Sequence, residues 1–221
     1  MYRMPTSTVE NYLKAILHLQ GEGKGSTTVG EIARVLAVTP GTVTIMMRQL
    51  KERGLVAYEP RRGLSLRPRG RTAALKVVRR HRLIELFLVE VMKLDWSEVH
   101  EEAEILEHVI SDRLLDRIDI MLGEPTHDPH GDPIPDRNGV LAKDLAVPLV
   151  DVDDGEYRVV RVSDEDSALL GWLNEKGLTI GEEFHLTHPD RAAGVLELAR
   201  RGGARVQLGV RVAGQVFDEA V

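Results

Sequence analysis

Histidine and carboxylate side chains cluster in residues 100–108. At about 100° per residue, four of them fall within about one third of a helix circumference: His100, Glu104, Glu107 and His108. Imidazole and carboxylate groups are poor material for a packed core, but they are good ligands for a divalent metal ion. The spacing therefore predicts a metal site, and a solvated acidic helix face is the alternative interpretation.

A second pair of potential ligands precedes this cluster. His81 and Glu85 are four residues apart on an apolar helix predicted over residues 72–92, so they share one face of it. Taken alone, such a pair is more often an ordinary surface pair. The two groups together point to metal binding by two neighbouring helices.

The helix that carries the 100–108 cluster is predicted to begin after Ser97, which can cap it, and to end at Gly123. This helix and the one over 72–92 hold more apolar residues than a solvated surface needs. We therefore expect them to form the interface of a dimer.

The charge is divided unevenly along the 221 residues. Residues 1–80 contain 15 Lys and Arg against 5 Asp and Glu, whereas residues 81–221 contain 14 against 30. A basic first part favours nucleic acid through attraction to phosphates. An acidic remainder favours cations, and two solvated surfaces of opposite sign are the simpler alternative.

The composition also excludes several classes of protein. The chain has no Cys, which excludes a disulfide framework and a thiolate metal site. No apolar run reaches the ~18 residues of a membrane span, and the N-terminus lacks the pattern of a signal peptide. We expect a cytoplasmic protein that does not enter a membrane.

Capping motifs divide the first 70 residues into short elements. Ser7, Thr28 and Thr39 each precede a predicted helix, and these helices end near Leu19, Leu36 and Arg53. Two predicted strands follow at 55–59 and 64–67, joined by an arginine-containing turn. Three helices and a basic hairpin predict a winged helix-turn-helix.

The third helix and the hairpin turn hold the candidate DNA contacts. Hydroxyl, apolar and cationic groups there could reach bases or phosphates: Thr39, Pro40, Gly41, Thr42, Thr44 and Arg48 on the helix, and Arg61 and Arg62 at the wing tip. Ordinary capping and a solvated turn are the alternatives. Because base-reading Asn, Gln and Arg are scarce, we expect DNA shape and apolar contacts to carry much of the specificity.

The composition changes after Gly123. Residues 123–148 are rich in Pro and Gly and predict a linker, of which His127 and His130 are interpreted as ordinary members. Beyond it, a short helix near 164–175 and five short strands predict a small β barrel. The fold class is therefore mainly α with β.

Several motifs together resemble the family of the diphtheria toxin repressor and the manganese transport regulator. They are Arg80-His81-Arg82-Leu83, Val99-His100-Glu101-Glu102-Ala103, Glu107-His108-Val109-Ile110-Ser111-Asp112 and Pro129-His130-Gly131-Asp132-Pro133-Ile134-Pro135. The resemblance runs the length of the chain. It implies a winged-helix domain at 1–72, a helical metal-binding and dimerisation domain at 73–140 whose linker starts near 123, and an SH3-like (FeoA-like) domain at 148–221.

The resemblance also implies two metal sites in each subunit. The primary site would use Glu104, Glu107, His108 and, at the first-helix position, Asn11; the ancillary site would use His81, Glu85 and His100; Asp166 matches a third-domain ligand. Iron-type members carry Cys where this chain has Glu104, and manganese-type members carry Glu. Oxygen and nitrogen donors favour Mn²⁺, with Fe²⁺ as the alternative. The first-helix position is Asp or Met in the familiar branches, so Asn11 departs from the pattern; its carbonyl can bind Mn²⁺ but brings no charge.

The resemblance implies a homodimeric, metal-activated repressor that binds operator DNA and controls manganese or iron uptake genes. A metal-independent winged-helix regulator whose third domain binds a protein or small ligand is one alternative. A metalloenzyme is another, but no nucleophile, glycine-rich phosphate loop or hydrolase motif accompanies the cluster, so we expect no catalysis. Metal-dependent DNA binding would favour the metal-activated repressor, and metal-insensitive DNA binding would favour the metal-independent regulator. Catalytic turnover would favour the metalloenzyme.

Overall fold

A computed structural model of the chain describes the following residues: 7–21, 25–60, 62–143, 145–164, 166–190, 193–200, 203 and 205–221. The contacts between residues divide the chain into two compact units. The first contains residues 1–81, 106–111 and 135–141, and the second contains residues 82–105, 112–134 and 142–221.

The first unit begins as a winged helix-turn-helix. Its elements are α1 (Ser7–Gln20), α2 (Val29–Val35), α3 (Pro40–Glu52), β1 (Val56–Glu59), β2 (Gly63–Leu66) and the first part of α4 (Pro68–Glu90). Thr28 and Glu31 form the predicted capping box of α2, and the Thr39 hydroxyl accepts from Thr42 N at the start of α3. The predicted helix starts are therefore confirmed.

Apolar side chains of all three helices and the hairpin pack together in one hydrophobic core. Its fully buried members include Leu13, Ile16, Ile32, Val43, Met47, Leu50, Val56 and Leu64. Near the start of α4, Gly70 allows a close approach, because a Cβ there would lie 2.0 Å from the carbonyl oxygen of Leu55. This core positions α1 and α3, which carry candidate ligands and DNA contacts respectively.

The single helix predicted from Ser97 to Gly123 is wrong. The structure has two helices, α5 (Val99–Leu106) and α6 (Asp112–Met121), with a turn between them. The N–H groups of Val109 and Ile110 both donate to the carbonyl of Leu106, which closes the turn, and an acidic residue opens α6. Glu107 and His108 therefore lie in a turn after α5 and not on its face.

The segment after α6 is turn-rich, as predicted, but its middle part, residues 128–135, is packed and mostly buried. The Asp128 carboxylate accepts from the backbone N–H of His130 and of Asp132, at 2.9 and 3.0 Å. Gly131 has a φ of +88°, and a Cβ there would lie 1.9 Å from the carbonyl oxygen of Val160. This close approach buries His130 completely.

The C-terminal part of the second unit is one antiparallel sheet of six strands in the order β3-β8-β4-β5-β6-β7. The strands are β3 (Val147–Pro148), β4 (Gly155–Val162), β5 (Glu183–Asp190), β6 (Val195–Arg200), β7 (Arg205–Gly209) and β8 (Val216–Ala220), and the helices are α7 (Ser167–Lys176) and α8 (Val210–Ala213). The five predicted strands are present, and β3 adds a two-residue sixth. Their inward side chains enclose a core around Phe184 and Leu198.

Within the described residues, no single helix is long and apolar enough to cross a membrane. Helices α2 and α3 pass that test only as a pair, bent by 111°.

Candidate metal centre and DNA interface

Glu107 is the centre of a buried polar cluster in the first unit. Its carboxylate is fully buried, with Oε2 2.7 Å from Nδ1 of His81 and 2.9 Å from Nζ of Lys14. Burial alone would raise the pKa of Glu107, but the hydrogen bonds and charges of His81 and Lys14 outweigh it and lower the pKa. Glu107 is therefore an anion in a site shielded from water.

His108 presents one ring nitrogen to this cluster. Its Nδ1 lies 2.7 Å from Oε2 of Glu10, and Arg80 donates to the other oxygen, Oε1, at 2.7 Å. Because the carboxylate accepts, Nδ1 carries the proton and Nε2 keeps its lone pair. Nε2 is buried without a hydrogen-bond partner, 3.4 Å from Glu107 Oε1. In metal-binding histidines, one ring nitrogen commonly donates to a carboxylate in this way while the other nitrogen binds the metal.

Asn11 and Glu104 are the other two predicted primary ligands. On α1, the Oδ1 atom of Asn11 is buried and has no hydrogen-bond partner. An unsatisfied buried carbonyl is costly unless something binds it. On α5, Glu104 is half-buried and has an oxygen 3.8 Å from Nε2 of His100.

A second group of donors lies in the second unit. Nδ1 of His100 is 3.3 Å from Glu85 and 3.4 Å from Asp164. Hydrogen bonds to the carboxylates of Asp164 and Glu85 raise the pKa of His100 to about 10, against the opposing effect of burial. One donor atom from each of the three residues fits within 4.8 Å of the others.

Asp166 is placed differently from its predicted role as a ligand. Its carboxylate accepts from the backbone N–H of Leu169 at 3.1 Å and caps α7. Asp164, two residues earlier, is the carboxylate that faces His100.

A third group combines Glu85 with Asp128 and His130, all three buried. Nε2 of His130 lies 2.8 Å from the carbonyl of Trp96, on whose ring the imidazole stacks. A carbonyl only accepts, so Nε2 carries the proton and Nδ1 keeps a lone pair, which has no hydrogen-bond partner. Oδ2 of Asp128 makes no hydrogen bond either, although Nε of Arg82 lies 3.4 Å from it. Burial, together with the charges of Asp132 and Glu85, outweighs the charge of Arg82 and raises the pKa of Asp128 well above its usual range.

These groups fit a divalent metal ion. Among the described residues of these groups, buried acceptor atoms of Asn11 (Oδ1), His108 (Nε2), Asp128 (Oδ2) and His130 (Nδ1) make no hydrogen bond. All are nitrogen or oxygen atoms, in a chain without Cys. Sequence reasoning missed Asp128 and left His130 as a linker residue, because a Pro- and Gly-rich stretch shows no periodicity that reveals burial.

The candidate DNA contacts are mostly exposed on the first unit. Thr39, Pro40, Gly41, Thr42 and Arg48 are exposed, and Thr44, half-buried, donates its hydroxyl to the carbonyl of Pro40 at 2.9 Å. The side chain of Arg62 is exposed and 3.3 Å from Glu59, and Arg61 lies outside the described residues.

One further residue on α3 belongs with this surface. Ile45 is 60% exposed in the middle of the helix, although it is apolar. Ile45 was not among the predicted DNA contacts. Its position on the same helix as Thr42 and Arg48 is the signal that could have revealed it.

A winged helix-turn-helix joined to clusters of oxygen and nitrogen donors defines a metal-dependent DNA-binding regulator. Comparison with protein families agrees. Residues 4–64 match the iron-dependent repressor N-terminal DNA-binding domain, residues 67–136 match the iron-dependent repressor metal-binding and dimerisation domain, and residues 147–219 match the FeoA domain. The chain belongs to the iron-dependent repressor family of metal-dependent transcriptional repressors.

Individual relatives cover most of the chain. The diphtheria toxin repressor of Corynebacterium diphtheriae is 37% identical over 194 residues, which is 83% of this chain and 85% of that protein. A manganese-dependent transcriptional repressor in complex with manganese is 36% identical, with a TM-score of 0.89 over 96% of this chain and all of that one. ScaR with bound Zn²⁺ is 33% identical, with a TM-score of 0.81 over 98% of this chain and all of that one.

Proposed function

We propose that the chain is a homodimeric repressor that binds operator DNA when it is loaded with Mn²⁺, or alternatively with Fe²⁺. It controls genes for the uptake of that metal, acts in the cytoplasm and catalyses no reaction. The observation that carries the proposal is the set of buried acceptor atoms without hydrogen-bond partners on Asn11, His108, Asp128 and His130. Such atoms destabilise a protein unless a ligand satisfies them.

The proposed ligands follow the predicted set, with additions. The primary site uses Asn11, Glu104, Glu107 and His108, and the ancillary site uses His81, Glu85 and His100. We add Asp164 in place of Asp166, because Asp166 caps α7, and we add Asp128 and His130 beside Glu85. Donors without sulfur, including several carboxylates, favour Mn²⁺ over metals that prefer thiolates.

The proposed activation works through α1 and the turn after α5. A bound divalent ion supplies positive charge to donors that come from both segments. Glu10 on α1 holds His108 by Nδ1, and Arg80 holds Glu10, so the turn and the first helix of the winged helix-turn-helix already share buried contacts. Ligation by Asn11 and His108 would order this junction further and favour the form that binds DNA.

The proposed DNA surface consists of the exposed groups of α3 and the wing, namely Thr39, Pro40, Gly41, Thr42, Thr44, Arg48, Arg61 and Arg62. To these we add Ile45, whose exposed side chain could pack on thymine methyl groups. The dimer interface would use exposed apolar residues of α5, α6 and the turn between them: Ile105, Val109, Leu114, Ile120 and Met121. The domain boundaries stay as predicted, at 1–72, 73–140 and 148–221.

The test is selection of bound sequences from random double-stranded DNA, with and without Mn²⁺, and with Fe²⁺ under anaerobic conditions. A palindromic sequence enriched only with metal is the expected result. Equal enrichment in a chelator would contradict the proposal and favour a metal-independent regulator. The same selection with His108→Ala should lose its metal response.

A further inference from the structure

A cation of the chain itself lies against the Glu107 carboxylate. Nζ of Lys14 on α1 is 3.1 Å from Oε1 and 2.9 Å from Oε2 of Glu107, so it contacts both oxygens. It also lies 3.4 Å from Nδ1 of His81. The side chains of Glu107 and His81 are 0% and 7% exposed. A buried carboxylate is thus neutralised by a tethered ammonium group.

The contacts of Lys14 are the ones that a metal ion would need. An ammonium group at hydrogen-bond distance from both oxygens occupies one lone pair of each, and His81 lies against Oε2 as well, so few lone pairs of Glu107 remain for a divalent ion. Two cations sharing one buried carboxylate would repel each other strongly, because the surroundings screen charge poorly. The metal and the Lys14 ammonium group therefore cannot both hold this carboxylate.

Lys14 has a route away from Glu107. Its side chain is 22% exposed, whereas the carboxylate that it contacts is fully buried. A lysine side chain is flexible, and its ammonium group is strongly hydrated once it reaches water. The side chain can thus leave Glu107 for solvent without requiring α1 to unfold.

We propose that Lys14 is an internal counter-ion that holds the Glu107 position in the metal-free protein and is exchanged for the divalent ion. This inference rests on the proposed function. Lys14 stabilises the metal-free state, and it weakens metal binding by the free energy needed to break its contacts. Lys14 therefore raises the metal concentration at which the regulator responds. The Glu107 carboxylate has a cation against it in both the metal-free and the metal-bound protein.

The first experiment compares the wild type with two substitutions at this position, by calorimetry with MnCl₂ and by thermal unfolding without metal. Lys14→Met keeps a long side chain and removes the charge, whereas Lys14→Arg keeps the charge. Lys14→Met should bind Mn²⁺ about tenfold more tightly or better, because no charged hydrogen bonds have to be broken. Its metal-free form should melt at a lower temperature. Lys14→Arg should bind Mn²⁺ no more tightly than the wild type.

A second measurement uses the wild type alone. It tests whether Mn²⁺ displaces Lys14 from Glu107 even if Lys14→Met does not fold. The rate of acetylation of each lysine is followed by mass spectrometry, with and without Mn²⁺. Displacement into solvent should make Lys14 react faster when Mn²⁺ is bound. Lys51, which donates to the carbonyl of Tyr58 at 2.9 Å, serves as the internal control and should keep its rate.

The outcomes separate this inference from the proposed function. Equal Mn²⁺ affinities in the wild type and Lys14→Met, or a Lys14 acetylation rate that does not rise with metal, would overturn the exchange and leave the proposed function standing. No Mn²⁺ binding by either protein would overturn both. Tighter binding by Lys14→Met but not by Lys14→Arg, with faster acetylation of Lys14, is the expected result.

Discussion

The carboxylate of Glu10 lies 2.7 Å from Nδ1 of His108, and the two residues are 98 positions apart in the chain. The contact joins the first helix of the winged helix-turn-helix to the turn after α5. It also fixes which nitrogen of His108 keeps a lone pair. Glu10 is therefore a positioning residue for a proposed ligand, and the structure of the DNA-binding part is linked to the metal site through it.

Replacing Glu10 with Gln tests this link. The amide holds the His108 ring less firmly and leaves Arg80 without its anionic partner, so Mn²⁺ should bind about ten- to a hundredfold more weakly. Calorimetry gives the affinity. Glu59→Gln, which removes a carboxylate from the exposed pair with Arg62, is the matched control and should leave the affinity unchanged. Equal affinities in the two variants would show that Glu10 has no positioning role.

Replacing Asp128 with Asn tests the group that sequence reasoning missed. Oδ1, which accepts from His130 N and Asp132 N, is retained, and Oδ2, which makes no hydrogen bond but lies 3.4 Å from Nε of Arg82, is exchanged for an NH₂ group. We expect Mn²⁺ binding at this group to weaken about tenfold or more, because an amide NH₂ group cannot bind a cation.

The matched control for Asp128→Asn is Asp136→Asn. Asp136 has the same local role, because its Oδ1 accepts from Asn138 N and Val140 N, but it is exposed. Its replacement should leave metal binding intact. An identical calorimetric profile for both variants would remove Asp128 from the ligand set.

Replacing Arg48 with Ala tests the DNA surface. Loss of one phosphate contact should weaken binding to all sequences alike and reduce the slope of log affinity against log salt concentration by about 1. Fluorescence anisotropy at several salt concentrations, with Mn²⁺ present, measures that slope. Arg205→Ala removes an exposed arginine from β7 and should keep the wild-type slope.

Asp218 predicts how the stability of the β sheet depends on pH. It is 2% exposed on β8, and burial raises its pKa to about 6. The pKa of this carboxyl group is higher in the folded protein than in the unfolded chain. The folded state is therefore destabilised as pH rises from the unfolded-state pKa to the folded-state pKa. Asp218→Asn should therefore melt at a higher temperature than the wild type above pH 6, with the gain shrinking towards pH 4.

The size of this effect has an upper bound. A shift of about 2 pKa units corresponds to about 3 kcal/mol. Thermal unfolding of both proteins between pH 4 and pH 8 measures the difference. A difference in melting temperature that stays constant from pH 4 to pH 8 would mean that folding does not change the pKa of Asp218.

The winged helix-turn-helix was predictable because its signals are local. Thr28 with Glu31 and Thr39 with Pro40 specify helix starts through contacts within four residues, and the structure contains both caps. The residue types of the candidate ligands were equally visible, since His81 with Glu85, and His100 with Glu104, follow helical spacing.

What the sequence could not reveal depends on contacts between distant residues. No Gly or Pro marks the end of α5 at Leu106, so the helix was predicted to continue through Glu107. The burial of His130 depends on the ring and carbonyl of Trp96, 34 residues earlier. Lys14 resembles any surface lysine of an amphipathic helix until Glu107 is placed beside it.

The close approach of Gly131 to β4 limits how the regulator can be shortened. The carbonyl of His130 accepts from the N–H of Val162, and Asp164 follows directly after that strand. A gene truncated before β3 would still encode the DNA-reading part and the Glu107 cluster, but it would lose Asp164 and the backbone that seats His130. The C-terminal domain is thus not an interchangeable module, because residues 112–134 and β4 support each other through backbone contacts.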